Sequence, residues 1–351
     1  MKILITGGLG YIGSHTVTRL VEQGYEPIIV DNLDNSSRLV LDALNYITGR
    51  ALTFYEGDVR DRAFIEGVID KEPGLKGVIH FAAHKAVNES MNDPLKYYNN
   101  NVGGLISLCE ALQEKQITNF VFSSSCTVYG ETKVSPVSEE TPRQTASSPY
   151  GHTKLLGEDI LKSLADLGKM RVLALRYFNP IGAHPSALIG ELPSGIPQNL
   201  VPYVTQTAIG KRATLKIFGN DYPTEDGTAV RDFIHVMDLA DAHIKALQHL
   251  MDDRSIKYDT FNIGTGKGTS VLKLIQEFER VTQVELPYVF ADRRPGDITA
   301  IYADAQKANK QLGWKPQYSL GEALKSAWRW EQQLDNFEKK QVKSEVAIFQ
   351  I

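Results

Sequence analysis

Residues 2–31 read KILITGGLGYIGSHTVTRLVEQGYEPIIVD, and the order of events along this stretch decides the fold. An apolar run over 2–6 meets Gly7 and Gly8, and glycine recurs at Gly10 and Gly13. Ile12, Val17, Leu20 and Val21 then share one helical face, Gly24 ends that helix, and a second apolar run follows over 27–31. Strand, glycine turn, helix and strand in that order open a parallel sheet wound by crossover helices. The spacing Gly7, Gly10, Gly13 lets the chain turn sharply, lets backbone approach a pyrophosphate, and points the unpaired N–H groups of a helix N-terminus at the anion. A tight strand-to-helix turn is the plainer reading; the position between strand and helix favours a nucleotide.

The alternation continues outward from this unit. Near-continuous apolar runs at 52–56, 77–82, 119–123 and 171–176 suit strands covered on both faces, and Ile65, Val68 and Ile69 repeat the helical arrangement one unit later. The expected fold is therefore α/β, a Rossmann-type doubly wound parallel sheet over residues 1–178. Beyond it Pro180, Pro185, Pro193, Pro197 and Pro202 interrupt regular structure. A smaller mixed α/β substrate domain is expected over 179–335, with helices near 199–210, 236–252, 270–282 and 320–333 and short strands around Lys216 and Phe261. Residues 336–351 form a tail, charged and then apolar.

Composition narrows the partners. At about 150 residues per domain, 351 residues make two or so domains. Apolar residues at 42% and charged residues at 23% suit a soluble globular chain. The net charge of −4 with no polybasic run argues against nucleic acid. No window approaches a membrane span, no signal peptide is evident, and Cys109 and Cys126 lack metal-type spacing, so a reducing cytoplasm is expected without membrane association. The eight histidines show no paired ligand spacing, and no metal is expected.

Asp31 stands at the tip of the second strand, where a carboxylate accepts both hydroxyls of an adenosine ribose and repels a 2′-phosphate, so NAD is favoured over NADP. Asp58 is similarly placed after the third strand. Tyr150 and Lys154 are four apart, which puts both on one helical face, and an ammonium there favours an ionised phenol. Tyr129 and Lys133 share the spacing but follow a strand and enclose Gly130, so they read as loop. Ser123, Ser124 and Ser125 end the fifth strand, where sites in open parallel sheets form. Arg231, Arg294 and Asp297 supply either a diphosphate grip or surface ion pairs. Residues 264–269 read as a turn, because the gap of a phosphate loop is missing.

Taken together these residues resemble the extended short-chain dehydrogenase/reductase superfamily, and closely its UDP-glucose 4-epimerase branch. The most specific stretches are Asp31-Asn32-Leu33, residues 123–130, Arg176 to Pro180, and the run from Phe218 to Asp241. The resemblance implies NAD on the turn residues Gly7, Gly10, Tyr11, Ile12 and Gly13, and on Asp31, Asn32, Asn35 and Ser36. It adds Asp58, Val59, Phe81, Lys85 and Asn100, with Tyr150 and Lys154 at the nicotinamide ribose. It implies a UDP-hexose held by Asn179, Asn199, Leu200, Phe218, Arg231, Arg294 and Asp297, with Phe178 nearby and Ser125 on the reacting oxygen. Ile301 is implied to border the hexose 2-substituent and to exclude N-acetylated sugars. The implied reaction has Tyr150 take the 4′-hydroxyl proton, Lys154 lower the tyrosine pKa, and NAD stay bound while a 4-keto sugar turns over. Helices over 94–115 and 149–167 are implied to pair in a homodimer. Cys126, His84 and Phe233 depart from the usual residues at their positions. Another epimerase or a 4,6-dehydratase of the superfamily, a simple dehydrogenase and a non-enzymatic NAD sensor are the alternatives. Cys126, Thr127 and Val128 offer no carboxylate for the elimination that a dehydratase performs.

Overall fold

In the first strand, β1 (Lys2–Thr6), Ile3 and Ile5 face one side of the sheet and Leu4 the other, and all three are fully buried. Alternation of this kind with no polar face requires helices on both sides. The computed structural model describes residues 1–348 apart from Lys133, Ser194, Pro295 and Gly296, with side chains as far as Asp335. Its principal sheet continues with β2 (Glu26–Asp31), β3 (Thr53–Glu56), β4 (Leu75–His80), β5 (Asn119–Ser123) and β6 (Arg171–Tyr177). A seventh strand, Tyr258–Ile263, lies beside β6, and the order from that edge is Tyr258–Ile263, β6, β5, β4, β1, β2, β3. Every pairing is parallel.

The seventh strand corrects the sequence expectation, which set the Phe261 strand apart in the second region. Phe261 is fully buried against the first core, and the helix Val236–Asp252 returns with it. That helix packs Leu239 and Ala242 into the same cluster as Val17 and Leu20 of α1 (Tyr11–Glu22). Arg19 clamps the two helices through a bidentate pair with Asp241 at 2.9 and 2.6 Å. The chain thus leaves the sheet after β6, builds a separate lobe, and comes back.

α2 (Arg38–Thr48) packs Leu44 into the same cluster as Val17 and Leu20, and the opposite face is covered by the helices that follow. These are α3 (Arg62–Lys71), the short α4 (Val87–Asn92) and α5 (Pro94–Tyr97), α6 (Gly104–Glu114) and α7 (Pro149–Asp166). The helix expected over 94–115 is present, but residues Tyr98–Gly103 form a π-helical turn that joins α5 to α6. Such turns insert an extra residue and re-aim side chains; here Asn100 and Asn101 are buried within it. Strand 77–82 also differs: it ends at His80, so Phe81 and Ala82 leave the sheet at its carboxyl edge. The remaining lobe has its own core of Val204, Ile217, Phe278 and Leu324. Its last helix runs from Leu320 to Ile348, past the expected end near 333, and takes in most of the expected tail; 349–351 lie outside the described residues. Among the described residues no helix is long and apolar enough to cross a membrane.

Candidate active site

The glycine turn sits where backbone is tightest. A Cβ on Gly13 would stand 2.2 Å from the Gly7 carbonyl oxygen, and one on Gly7, whose φ is +71°, would stand 2.6 Å from the Ala82 nitrogen. Nothing larger than glycine fits, and the N-terminus of α1 is left open beside β1. The cavity there is lined by Gly7, Gly10, Asp31, Asn35, Phe81 and Asn100, with Asn32, Ser36 and Val59 of the expected residues also on its wall. His84, named in the sequence only as a departure, lines it too and meets Asn35 at 3.1 Å. Asp31 accepts the Leu9 and Leu33 amides at 3.0 Å each and the Ser36 hydroxyl at 2.8 Å. A carboxylate has about four acceptor sites, so capacity for a ribose hydroxyl remains.

Tyr11, Ile12, Gly13, Asp58, Lys85, Tyr150 and Lys154 are not on that wall. Asp58 is gripped by Arg60 through its two oxygens at 2.9 and 2.7 Å, which holds its carboxyl down at about 2. Tyr11 donates to the Gly182 carbonyl at 2.6 Å, linking α1 to the second lobe. Lys85 and Asn199 both donate to Glu191, at 2.7 and 2.6 Å. Glu191 was not read from the sequence, because its partners are distant in the chain.

The three serines at the end of β5 have three different partners. Ser123 donates to Tyr177 at 3.3 Å, Ser124 to Glu158 at 2.6 Å, and Ser125 accepts the Thr127 amide at 3.2 Å beside Tyr150. Tyr150 and Lys154 are buried on one face of α7, whose first turn is set by Ser148 as N-cap and Pro149 behind it. Lys154 Nζ donates to the Ser123 carbonyl at 2.7 Å and lies 5.9 Å from the centre of the Tyr150 ring. Burial pushes the Tyr150 phenol well above its ordinary value, with the Tyr177 hydroxyl adding to this and Ser125 opposing it. The Lys154 ammonium is turned to the strand end. Burial lowers Lys154 itself to about 8, with Glu158 holding it up. Tyr177, on the Ser123 hydroxyl, is a second phenol at the site that the sequence reading missed.

Tyr129, the competing tyrosine, ends a 3-10 turn and is fully buried on Asn262 and Arg176; its partner Lys133 lies outside the described residues. Residues 264–269 form the expected turn, with Thr265 and Gly266 tied to Asp232.

A second cavity of about 330 Å³ opens in the other lobe, within the range of small-molecule sites. Asn179, Asn199, Leu200, Phe218, Arg231, Arg294 and Asp297 line it, together with Lys216 and Tyr203, which the sequence did not offer. Arg294 lies 3.9 Å over the Phe218 ring, and Arg231 is paired with Asp297. Ser125, Phe178 and Ile301 are not on its wall. Phe178 and Ile301 pack instead in an apolar cluster with Val128, Tyr129 and Val137, Cys126 touching its edge. Cys109 and Cys126 are both free thiols.

The GDP-mannose 4,6 dehydratase family matches over residues 4–327. A UDP-glucose 4-epimerase from Bacillus subtilis is 52% identical across 94% of this chain and 97% of its own. One from Arabidopsis thaliana is 48% identical across 94% of each. The structure of the Stenotrophomonas maltophila enzyme, solved with bound NAD and formylated UDP-arabinopyranose, superposes with a TM-score of 0.93 at 46% identity, covering 96% of this chain and 99% of that one. The Bifidobacterium longum enzyme, in complex with NAD+ and UDP, gives 0.91 at 43%, covering 96% and 99%. With the glycine turn, the strand-end serines and the Tyr150–Lys154 face in a matching fold, the chain belongs to the UDP-glucose 4-epimerase family.

Proposed function

We propose that this chain interconverts UDP-glucose and UDP-galactose at carbon 4 through a 4-keto sugar, with tightly bound NAD. The observation that carries this reading is the buried pair Tyr150 and Lys154 on one face of α7, with Lys154 Nζ on the Ser123 carbonyl at 2.7 Å and so at the serine-lined carboxyl end of β5. NAD supplies the hydride acceptor and, on return, the donor. Tyr150 takes the proton from the 4′-hydroxyl and later returns it, and Ser125 hydrogen-bonds the same oxygen. Lys154 contributes positive charge near the phenol and a donor for the nicotinamide ribose. Arg231 and Arg294 grip the diphosphate, with Phe218 on the uracil, so that binding energy is concentrated on UDP and the hexose is free to turn.

In this reading residues 1–178, joined by the returning segment 236–263, serve the cofactor, and the rest of 179–335 serves the sugar nucleotide. A homodimer through the helices over 94–115 and 149–167 is part of the same proposal; Leu95, Ile106 and Leu167 are exposed there. Sedimentation at micromolar concentration tests it, and a monomer would refute it. The reaction itself is tested by incubating purified protein with UDP-galactose and no added NAD. UDP-glucose should form, and NAD should be released on denaturation; accumulation of free NADH or of an unsaturated sugar would refute the assignment.

A further inference from the structure

Polar residues recur along α7 at a spacing of four: Tyr150, Lys154 and then Glu158. Glu158 is fully buried, and the chemistry described above leaves it without a task. Its carboxylate accepts Ser124 Oγ at 2.6 Å, Arg176 Nε at 2.9 Å and Arg176 Nη2 at 2.7 Å, with Arg143 at 3.5 Å. Arg176, on β6, also donates to the Tyr129 hydroxyl at 3.1 Å. One carboxylate thereby joins α7, the end of β5 and β6.

A buried ion pair is a poor device for stability, since desolvating both charges offsets most of their attraction and well-packed apolar residues do as well. Its location is more telling. Ser124 stands between Ser123, whose carbonyl receives Lys154, and Ser125, which lies beside Tyr150. A bond at Ser124 fixes the rotation of the strand end on which both placements depend.

We propose that Glu158 is a positioning residue for the reaction: through Ser124 it holds Ser125 against Tyr150, and its negative charge, one turn beyond Lys154, keeps that lysine cationic in the interior. This rests on Tyr150 and Lys154 being the reacting pair. The groups facing Lys154 come from several elements: Tyr150 and Glu158 on α7, the Phe122 ring of β5 at 5.1 Å, His80 at the end of β4, and His243 on the helix Val236–Asp252. Burial holds His80 at about 3 and His243 at about 4, so both are neutral near pH 7; the charges beyond Lys154 are the Glu158 carboxylate, which holds the lysine up, and the Arg176 and Arg143 guanidinium groups paired with it.

The test is the pH dependence of kcat and KM for UDP-galactose in the holoenzyme of the wild type, Tyr150→Phe, Glu158→Gln and Ser124→Ala. Tyr150→Phe should be inactive; if it turns over, the reading of the reacting pair fails, which is a separate result. With that control in place, Glu158→Gln should move the alkaline limb of kcat about one pH unit lower, because the lysine loses its anion, while KM changes less than about twofold. A merely structural role would reduce the amount of active enzyme and leave the limb where it was; that outcome overturns the proposal. Ser124→Ala keeps the ion pair and should lower kcat about tenfold through misplacement of Ser125, with the limb unmoved. Wild-type kcat in Ser124→Ala overturns the positioning arm. Should Glu158→Gln fail to fold, Ser124→Ala decides alone.

Discussion

Tyr150 is held where its own ionisation is disfavoured: burial raises its pKa, the neighbouring Tyr177 adds to this, and only Ser125 opposes. A phenol in such a place is protonated near neutral pH, so to take the 4′-hydroxyl proton it would first have to be ionised, which the positive charge of Lys154 and of bound NAD+ would favour. Tyr150→Phe should lower kcat by about 100- to 10,000-fold with NAD still bound and the fold intact. More than about half the wild-type rate would contradict the assignment. Ile301 is a harder case, because it is 4% exposed and packs with Phe178 rather than facing the second cavity. If it gates the hexose, it does so by setting where Phe178 and the Cys126 edge stand, with a β-branched side chain that cannot swing aside. UDP-N-acetylgalactosamine should then be used roughly a hundredfold less well than UDP-galactose in kcat/KM, and Ile301→Ser should narrow that gap. The same change removes buried apolar volume and should lower stability by about 2 kcal/mol or more, so thermal unfolding must be measured beside it. Equal use of both sugars by the wild type would end the gate reading.

Among the elements, the strand-to-helix turn of β1 and α1 has the least tolerance. Its glycines are required by backbone contact rather than by flexibility: at Gly13 the added methyl would enter the Gly7 carbonyl, and no side chain can move out of the way. Gly13→Ala should therefore deplete bound NAD, read by assay of the supernatant after denaturation, and Tyr150→Phe should retain it. Normal NAD content in Gly13→Ala would show that the turn does not cradle the pyrophosphate. The π-helical turn Tyr98–Gly103 plays a complementary part, placing Asn100 on the wall of the cavity beside the glycine turn while Asn101 ties the His84 backbone to Thr153 on α7 at 2.8 to 3.1 Å. Amphipathic spacing marks this segment as helix, and its spacing alone gives no sign of the extra residue per turn.

At the scale of the whole molecule, four interior histidines make the fold sensitive to acid. Burial holds His15 and His80 at about 3 and His235 and His243 at about 4, against 6.5 for the free side chain. Above 6.5 each is neutral whether folded or unfolded, so their contribution to stability is fully present there. As pH falls below 6.5 the unfolded chain takes up protons that the folded one refuses, and stability is lost down to the folded values. Asp238, raised to about 6 by burial, acts in the opposite direction, as do Glu139 and Asp232, while His84 and His184 are lowered by burial and add to the four. The urea midpoint should therefore fall as pH drops from about 7 to about 5, and a flat midpoint across that range would contradict this account.

What the sequence determined by itself was whatever depends on near neighbours in the chain. Apolar runs such as Ile3 to Ile5 specify strands buried on both faces; Gly7, Gly10 and Gly13 specify a turn that needs glycine at its first and last positions; Ser148, Pro149, Tyr150 and Lys154 specify a capped helix with two polar residues on one face. The family stretches add most of both cavity walls. Only the tertiary structure decided what depends on distant partners. Phe261 reads equally well as a strand of either lobe until it pairs with Leu175 on β6. Glu191 acquires a role only when Lys85 and Asn199 converge on it, and the three consecutive serines become distinct only when Tyr177, Glu158 and Tyr150 arrive from other elements. The physical reason is the range of the forces involved: propensity and periodicity act within a few residues, whereas the burial that moves the Tyr150 and Lys154 pKa values exists only once the sheet and the helices have closed around them.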